Sequence, residues 1–237
     1  AAVAMAFAKF TAVLLPALGE DVVLLDAGLF QVTAARLVAI ASIVALTAVN
    51  RRGLHGGRLL QNTFTIAKTA AVLGLIVLGL ALGGNAAALA ANFQDFWRAG
   101  QVHVADGIVS VAPLAGIALA SALGASLVGS LFASVTWENI TFTAGEVVEP
   151  MRTIPFSLGL GAGTVVLLYL LANVAYLRLL PVEGAPGAAD VVGRGIQFAT
   201  ADRVGTAAAT MMFGAAGAVL MAVLIMVSTF GCNNGQI

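Results

Sequence analysis

Charged residues are scarce in this chain. Only 9% of its 237 residues are Asp, Glu, Lys or Arg, whereas soluble globular domains carry roughly 25%. A compact soluble body needs polar groups to cover its surface, so this composition argues strongly against a soluble enzyme. The 60% hydrophobic content likewise excludes an intrinsically disordered segment. Because 11 basic residues balance 11 acidic residues, nothing in the net charge suggests nucleic-acid binding.

Cysteine and histidine are also rare. Cys232 is the single cysteine, so an intrachain disulfide is excluded. The only histidines are His55 and His103, which are too few for a zinc cluster. We therefore expect no metal and no cofactor. The sequence indicates instead a polytopic membrane protein whose partner is the lipid bilayer.

Long uncharged stretches divide the chain. A helix needs roughly 20 apolar residues to span the hydrocarbon core, and the charge-free runs 69–94, 107–137, 153–177 and 204–237 are each long enough. Their uniformly apolar character favours helices over the alternating strands of a membrane barrel. The sequence thus predicts an all-α membrane protein with about six transmembrane segments, near residues 1–18, 31–50, 61–82, 113–147, 155–180 and 204–237.

The chain begins and ends inside apolar runs, so we expect one transmembrane domain that is an internal fragment of a larger, transporter-sized protein. Its loop 51–60 carries Arg51, Arg52 and Arg58 without an acidic residue. Basic residues concentrate in cytoplasmic loops, which predicts that this loop is cytoplasmic. Two glycine pairs with small-xxx-small spacing, Gly79–Gly83 and Gly159–Gly163, predict close helix packing.

Lys68 interrupts the apolar run of the third segment. A lysine at membrane depth costs several kcal/mol on insertion scales, so it needs a partner or a function. It lies ten residues from Arg58, or about 15 Å along a helix, which is deep for a side chain that only reaches back to the headgroups. Both interpretations remain open, and we favour the functional one.

The segment 113–147 is too long for a straight span. Its 35 residues would make a helix of about 52 Å, against a core of about 30 Å. Polar and β-branched residues crowd its middle, in SLFASVTWENITF. We expect a helix that breaks at about 133–138, because broken helices expose the backbone groups with which transporters bind substrates. One long tilted helix is the alternative.

The last segment carries adjacent amides, Asn233 and Asn234, within the run STFGCNNGQI. They predict either a polar site or hydrogen bonds that only hold helices together.

These features resemble a known superfamily. The stretch LFASVTWENITFTAGEVVEPMRTIPFSLGLGAGTVVLLYLLANVAYLRLLP (131–181) resembles the sixth and seventh helices of amino acid permeases of the amino acid–polyamine–organocation superfamily, nearest the L-type amino acid transporters. Residues 49–79 are similar to the junction of its fourth and fifth helices, and STFGCNNGQI to the middle of its eighth. The resemblance covers the chain from the middle of the third helix to the middle of the eighth.

This resemblance implies a fold of two inverted five-helix repeats and a set of site residues. The substrate would bind at the break in the sixth helix, at Phe132, Ala133, Ser134, Val135, Trp137 and Glu138. Lys68 matches a fifth-helix lysine whose ammonium replaces the sodium of sodium-dependent relatives, which would place it near Cys232, Asn233 and Asn234. Val135 and Thr136 occupy the stretch before Trp137 where the superfamily usually has glycine, and Glu138 stands where it often has asparagine. The extent of unwinding and the pocket volume therefore stay open.

The resemblance implies a non-enzymatic secondary transporter of the cell membrane. It would exchange neutral amino acids or take them up with protons, by alternating access. One alternative is a polyamine or other organic-cation carrier, for which Glu138 is the one candidate carboxylate. The other is a retinal protein or an intramembrane enzyme, for which this sequence lacks the expected residues. Which amino acid is carried, and whether an accessory subunit takes part, stays open.

Overall fold

The computed structural model describes residues 2–26, 31–51, 54–105, 108–133, 144–200 and 203–234. This part of the chain is mainly helical, which confirms the all-α fold class. The helices are α1 (Ala2–Leu14), α2 (Ala34–Asn50), α3 (Leu54–Leu82), α4 (Ala86–Gln94), α5 (Gly116–Ala133), α6 (Pro150–Leu179), α7 (Val191–Arg194), α8 (Val204–Phe213) and α9 (Ala215–Asn234). Short 3-10 turns at Pro16–Leu18 and Ala144–Glu146 complete the helical structure.

Three of these helices are long and apolar enough to cross a membrane, judged by length and composition: Asn62–Leu82, Pro150–Leu179 and Ala215–Asn234. Shorter apolar helices occupy Ala2–Leu14, Ala34–Asn50, Gly116–Leu131 and Val204–Phe213. The segment expected over 204–237 contains two helices rather than one. They meet at Gly214, whose φ of 61° is favourable only for a residue without Cβ.

Two β-hairpins lie between the helices, and the sequence interpretation did not include them. Strands β1 (Val23–Asp26) and β2 (Gln31–Thr33) pair antiparallel with an irregular register. Strands β3 (Gly100–Ala105) and β4 (Ile108–Pro113) pair in regular register, with Val102 opposite Val111. The signal for the second hairpin was present, because Val102 and Val104 alternate with polar residues, a pattern typical of strands.

The chemistry of helix starts is visible at α2 and α4. Thr33 caps α2 by accepting a hydrogen bond from the amide of Arg36 at 3.4 Å, and Asn85 caps α4 by accepting one from the amide of Ala88 at 3.1 Å. Such caps satisfy amide groups that have no partner inside the helix.

The end of α6 is fastened to α4 by asparagine side chains. Asn92 donates from Nδ2 to the carbonyl oxygens of Leu177 and Leu180, at 2.8 and 2.9 Å. Its Oδ1 accepts a hydrogen bond from the amide of Val182 at 2.6 Å. Asn92 thus forms hydrogen bonds with carbonyl groups that the C-terminus of a helix leaves without partners.

Small residues bring the helices together. Ala4 and Ala8 of α1 pack with Ala35 and Ala39 of α2 in one buried cluster. A second cluster joins the end of α6 to α8, with Leu179, Leu180, Ala199, Ala207 and Ala208. Close approach through small side chains is the usual packing mode of membrane helices.

One of the two glycine pairs packs as expected. A Cβ atom on Gly79 would lie 3.1 Å from Ala175 Cβ, and one on Gly83 would overlap the side chain of Leu179. This pair therefore lets α3 approach α6. Gly159 and Gly163 have no neighbour within 4 Å of such an atom among the described residues, so the structure shows no packing role for them.

Candidate substrate and cation site

Lys68 lies on α3 and faces a small cavity between α3, α6 and α9. Its side chain is partly buried, and the cavity has a volume of about 120 Å³. Most of the remaining wall is formed by four aliphatic or thioether side chains, one phenol and one aliphatic hydroxyl, namely those of Ala71, Leu75, Met221, Ile225, Tyr176 and Ser228. Lys68 therefore borders a cavity inside the protein, as expected of a functional lysine at membrane depth.

The electrostatics of this cavity are simple. On α9, Ser228 contributes a polar side chain to the wall, and the wall residues that the structure describes include no carboxylate. The ion pairs Lys9–Glu20 at 3.5 Å and Arg98–Asp95 at 3.9 Å do not include Lys68. Since apolar walls neither solvate nor neutralise an ammonium, the cavity presents an isolated cationic group to whatever enters it.

Asn233 and Asn234 lie near the same helix pair but further along α9. Gly231 packs directly on the side chain of Phe64, which lies one helical turn before Lys68 on α3. Beyond that contact, Asn233 and Asn234 are 3% and 7% exposed, whereas Cys232 is exposed. The structure thus sets Ser228 beside Lys68 and places residues 232–234 on the other side of Phe64.

The two asparagines have hydrogen-bonding capacity left over. Nδ2 of Asn233 and Oδ1 of Asn234 are buried without a partner in the described part of the chain. Buried amide groups are nearly always hydrogen-bonded, so these atoms mark a polar position at the end of α9. Sequence reasoning found these amides but missed Ser228, whose signal was a hydroxyl next to that of Thr229 in an otherwise apolar run.

Three phenylalanine rings hold the helices around Lys68 in register. The Phe230 ring lies 5.5 Å from that of Phe7 and 5.7 Å from that of Phe64, measured between centroids. Tilted and edge-on aromatic pairs at such distances are favourable. The rings connect α9 with both α1 and α3.

The predicted substrate-binding residues lie at and beyond the end of α5. Phe132 and Ala133 form its last turn, and Ser134, Val135, Trp137 and Glu138 fall outside the described residues. Side chains of α5 from Gly116 to Leu131 are mostly exposed, and none of them lines the Lys68 cavity. The structure does not bring the described part of α5 against Lys68, and the break at 133–138 stays a prediction.

A second, larger cavity adjoins the first. It has a volume of about 700 Å³ and shares Tyr176, Met221 and Ile225 with the Lys68 cavity. Its other walls include Lys9, Phe10, Glu20, Asp21, Arg203 and Thr206. We call it the Lys9–Arg203 cavity.

Comparison with known proteins identifies the family to which this chain belongs. A family model described as amino acid permease matches residues 1–237. The chain belongs to the amino acid permease family. This confirms the resemblance that the sequence motifs indicated and agrees with the expectation that the chain is no enzyme. Together with the apolar helices, it makes this permease an integral, multi-pass membrane protein.

The sequence identity between this chain and individual relatives is modest. The permease is 27% identical over 202 residues to the serine/threonine exchanger SteT of Bacillus subtilis, a match that covers 85% of the chain and 38% of SteT. It is 29% identical over 151 residues to the b(0,+)-type amino acid transporter 1 of Mus musculus, covering 62% of the chain and 27% of that protein.

A yeast protein shows a weaker similarity. The high-affinity methionine permease of Saccharomyces cerevisiae is 24% identical over 151 residues, covering 62% of the chain and 24% of that protein. The chain therefore spans well under half the length of the curated relatives it matches.

Proposed function

We propose that this permease carries amino acids across the membrane as a secondary transporter. Family membership and the names of three relatives, which describe an exchanger, a transporter and a permease of amino acids, support this class of substrate. The single observation that carries the proposal is that Lys68 faces a cavity between three helices, α3, α6 and α9, each of which contains a candidate span.

In the proposed mechanism, the ammonium of Lys68 permanently takes the place of a bound cation. Its charge would sit between α3, α6 and α9, and it would tie these helices together while another part of the molecule moves. Alternating access in such folds is largely the rocking of one bundle against another around a fixed site. Lys68, with Ser228 and the amides of Asn233 and Asn234, would belong to the part that stays still.

The substrate itself would bind where α5 ends. The resemblance of residues 131–138 to a broken helix supports a site at which the freed backbone oxygens of Phe132, Ala133 and Ser134 accept the substrate ammonium. Trp137 and Glu138 would complete the wall. Carbonyl oxygens at a helix C-terminus carry partial negative charge, which suits an ammonium group.

Exchange is the transport mode that we propose, because SteT is named an exchanger. We also propose that the loop 51–60 faces the cytoplasm, on the strength of its arginines, and that the membrane is the cell membrane. The organic-cation alternative receives no support from the relatives.

Transport by the full-length protein that contains this chain tests the proposal. In liposomes loaded with unlabelled L-threonine, we expect uptake of radiolabelled L-threonine without sodium. Lys68→Ala should reduce this uptake at least about tenfold, because it removes the positive charge that the proposed mechanism places between the three helices. The matched control is Ile66→Ala on the same helix, where the side chain is 70% exposed, and it should transport normally. Sodium-dependent uptake that survives Lys68→Ala would refute the proposed role of the lysine.

A further inference from the structure

The Lys9–Arg203 cavity contains charges of both signs, and only some of them are paired with each other among the described residues. Lys9 and Glu20 form an ion pair across 3.5 Å. Arg203 and Asp21 line the same cavity, yet within the described ranges neither forms an ion pair. One guanidinium and one carboxylate thus remain available to a ligand that carries a charge of each sign.

Arg203 is held in place by an aromatic ring rather than by an acid. Its guanidinium carbon lies 4.9 Å from the centroid of the Phe10 ring, a distance typical of cation–π contacts. Such a contact orients the guanidinium and leaves its N–H donors free for a planar oxyanion, for which the forked geometry is well suited.

The start of α8 adds a second source of donors to the same wall. Arg203 precedes α8 and makes no side-chain cap, and Val204, Gly205 and Thr206 of the first turn line the cavity. Amide groups in the first turn of a helix lack intrahelical partners and favour a carboxylate. The hydroxyl oxygen of Thr206 is buried and has no hydrogen-bond partner in the described part of the chain.

From this arrangement we propose that the Lys9–Arg203 cavity is a second binding site for an α-amino acid zwitterion. The carboxylate binds to the Arg203 guanidinium and the first turn of α8, and the ammonium binds to Asp21. The volume of about 700 Å³ falls within the roughly 300–1,000 Å³ of small-molecule sites. The choice of an amino acid as ligand rests on the proposed function, whereas the requirement for a zwitterion rests on the charges.

The position of the cavity gives this site a role. Tyr176, Met221 and Ile225 line both this cavity and the Lys68 cavity, so the two cavities adjoin at these side chains. The site therefore holds an amino acid next to the Lys68 cavity.

Equilibrium binding to the full-length protein in lipid nanodiscs tests the site. The probe is radiolabelled L-threonine, and the readout is the number of molecules bound per protein. We expect Arg203→Gln and Asp21→Asn to bind one molecule fewer than the wild type. Arg178→Gln, which alters an exposed arginine outside the cavity, should bind as many as the wild type. Since Asp21 is exposed, its variant reports on binding even if Arg203→Gln folds poorly.

Ligands that lack one charge sharpen the test. L-threonine methyl ester and N-acetyl-L-threonine should compete at this site at least about tenfold less well, since each loses a charge-assisted interaction. Equal numbers of bound L-threonine molecules in the wild type, Arg203→Gln and Asp21→Asn would overturn the proposal. So would a result in which phosphoethanolamine displaces the radiolabelled probe from this site but unlabelled L-threonine does not. The result is separable from the transport experiment, because the loss of one bound molecule is expected whether or not Lys68→Ala impairs uptake.

Discussion

The two halves of α6 have opposite surroundings. Toward its C-terminus, Ala172, Ala175 and Leu179 are buried, and Tyr176 forms a wall of both cavities. Toward its N-terminus, Gly159 and Gly163 have no described neighbour, and Leu160 and Val166 are 61% and 58% exposed. One continuous apolar helix thus combines a packed end with an end that the described residues leave uncovered.

This contrast shows that hydrophobicity and small-residue spacing do not by themselves locate a contact. Both glycine pairs have the same spacing, yet among the described residues only Gly79–Gly83 meets another helix. The packed end is distinguished by additional hydrogen bonds, which the side chains of Asn85 and Asn92 donate to backbone carbonyl groups at the end of α6. Three substitutions can test whether stability is concentrated at this end.

Removal of the Asn92 side chain should have the largest effect. Asn92→Ala deletes three hydrogen bonds to the backbone around Leu177, Leu180 and Val182. At about 1 kcal/mol each, their loss should destabilise the full-length protein by about 3 kcal/mol, measured as a fall in the midpoint of thermal unfolding in detergent. The control is Asn173→Ala, whose amide bonds only to Tyr169 of its own helix. Equal shifts for the two variants would show that the fastening contributes nothing.

Filling the gap between α3 and α6 should have an intermediate effect. Gly83→Ala places a Cβ atom against Leu179, which is fully buried and has no free space to move into. Overpacking of this kind costs about 1–3 kcal/mol. The double variant with Leu179→Ala should lose less stability than the sum of the single variants. If the stability loss of the double variant equals the sum of the losses of the two single variants, the two residues do not touch.

The same substitution on the uncovered half of α6 should have the smallest effect and the opposite sign. Gly163→Ala introduces a methyl group that no described atom opposes, and alanine is the better helix former by about 1 kcal/mol or less. We expect a slightly raised unfolding midpoint. A fall as large as that of Gly83→Ala would reveal a tight contact at this surface and would remove the contrast between the two halves.

The sequence predicted much of the helical framework, because long charge-free runs report directly on the cost of burying charge in a bilayer. It did not predict the kink at Gly214 or the hairpin β3–β4, since both are set by backbone conformation within stretches of unremarkable hydropathy. Short strands produce a weaker signal than spans, as the alternation of Val102 and Val104 illustrates.

The candidate site was predicted unevenly for a similar reason. Lys68 was conspicuous because a charge within a span is costly, and its inward position fits that reasoning. Its neighbour Ser228 depends on how α3 and α9 are aligned, which the Gly231–Phe64 contact sets. The Lys9–Arg203 cavity combines residues from three distant parts of the chain, and single-sequence patterns do not report such proximity.

The Phe7–Phe230–Phe64 stack has a mechanical consequence. Because one ring of α9 touches rings of both α1 and α3, sliding α9 along its axis would have to separate two aromatic contacts at once, whereas sliding α1 or α3 would separate one. These contacts favour movement of the three helices as a unit, which would keep Lys68 at a constant height relative to α1 and α9 whenever the remainder of a carrier tilts.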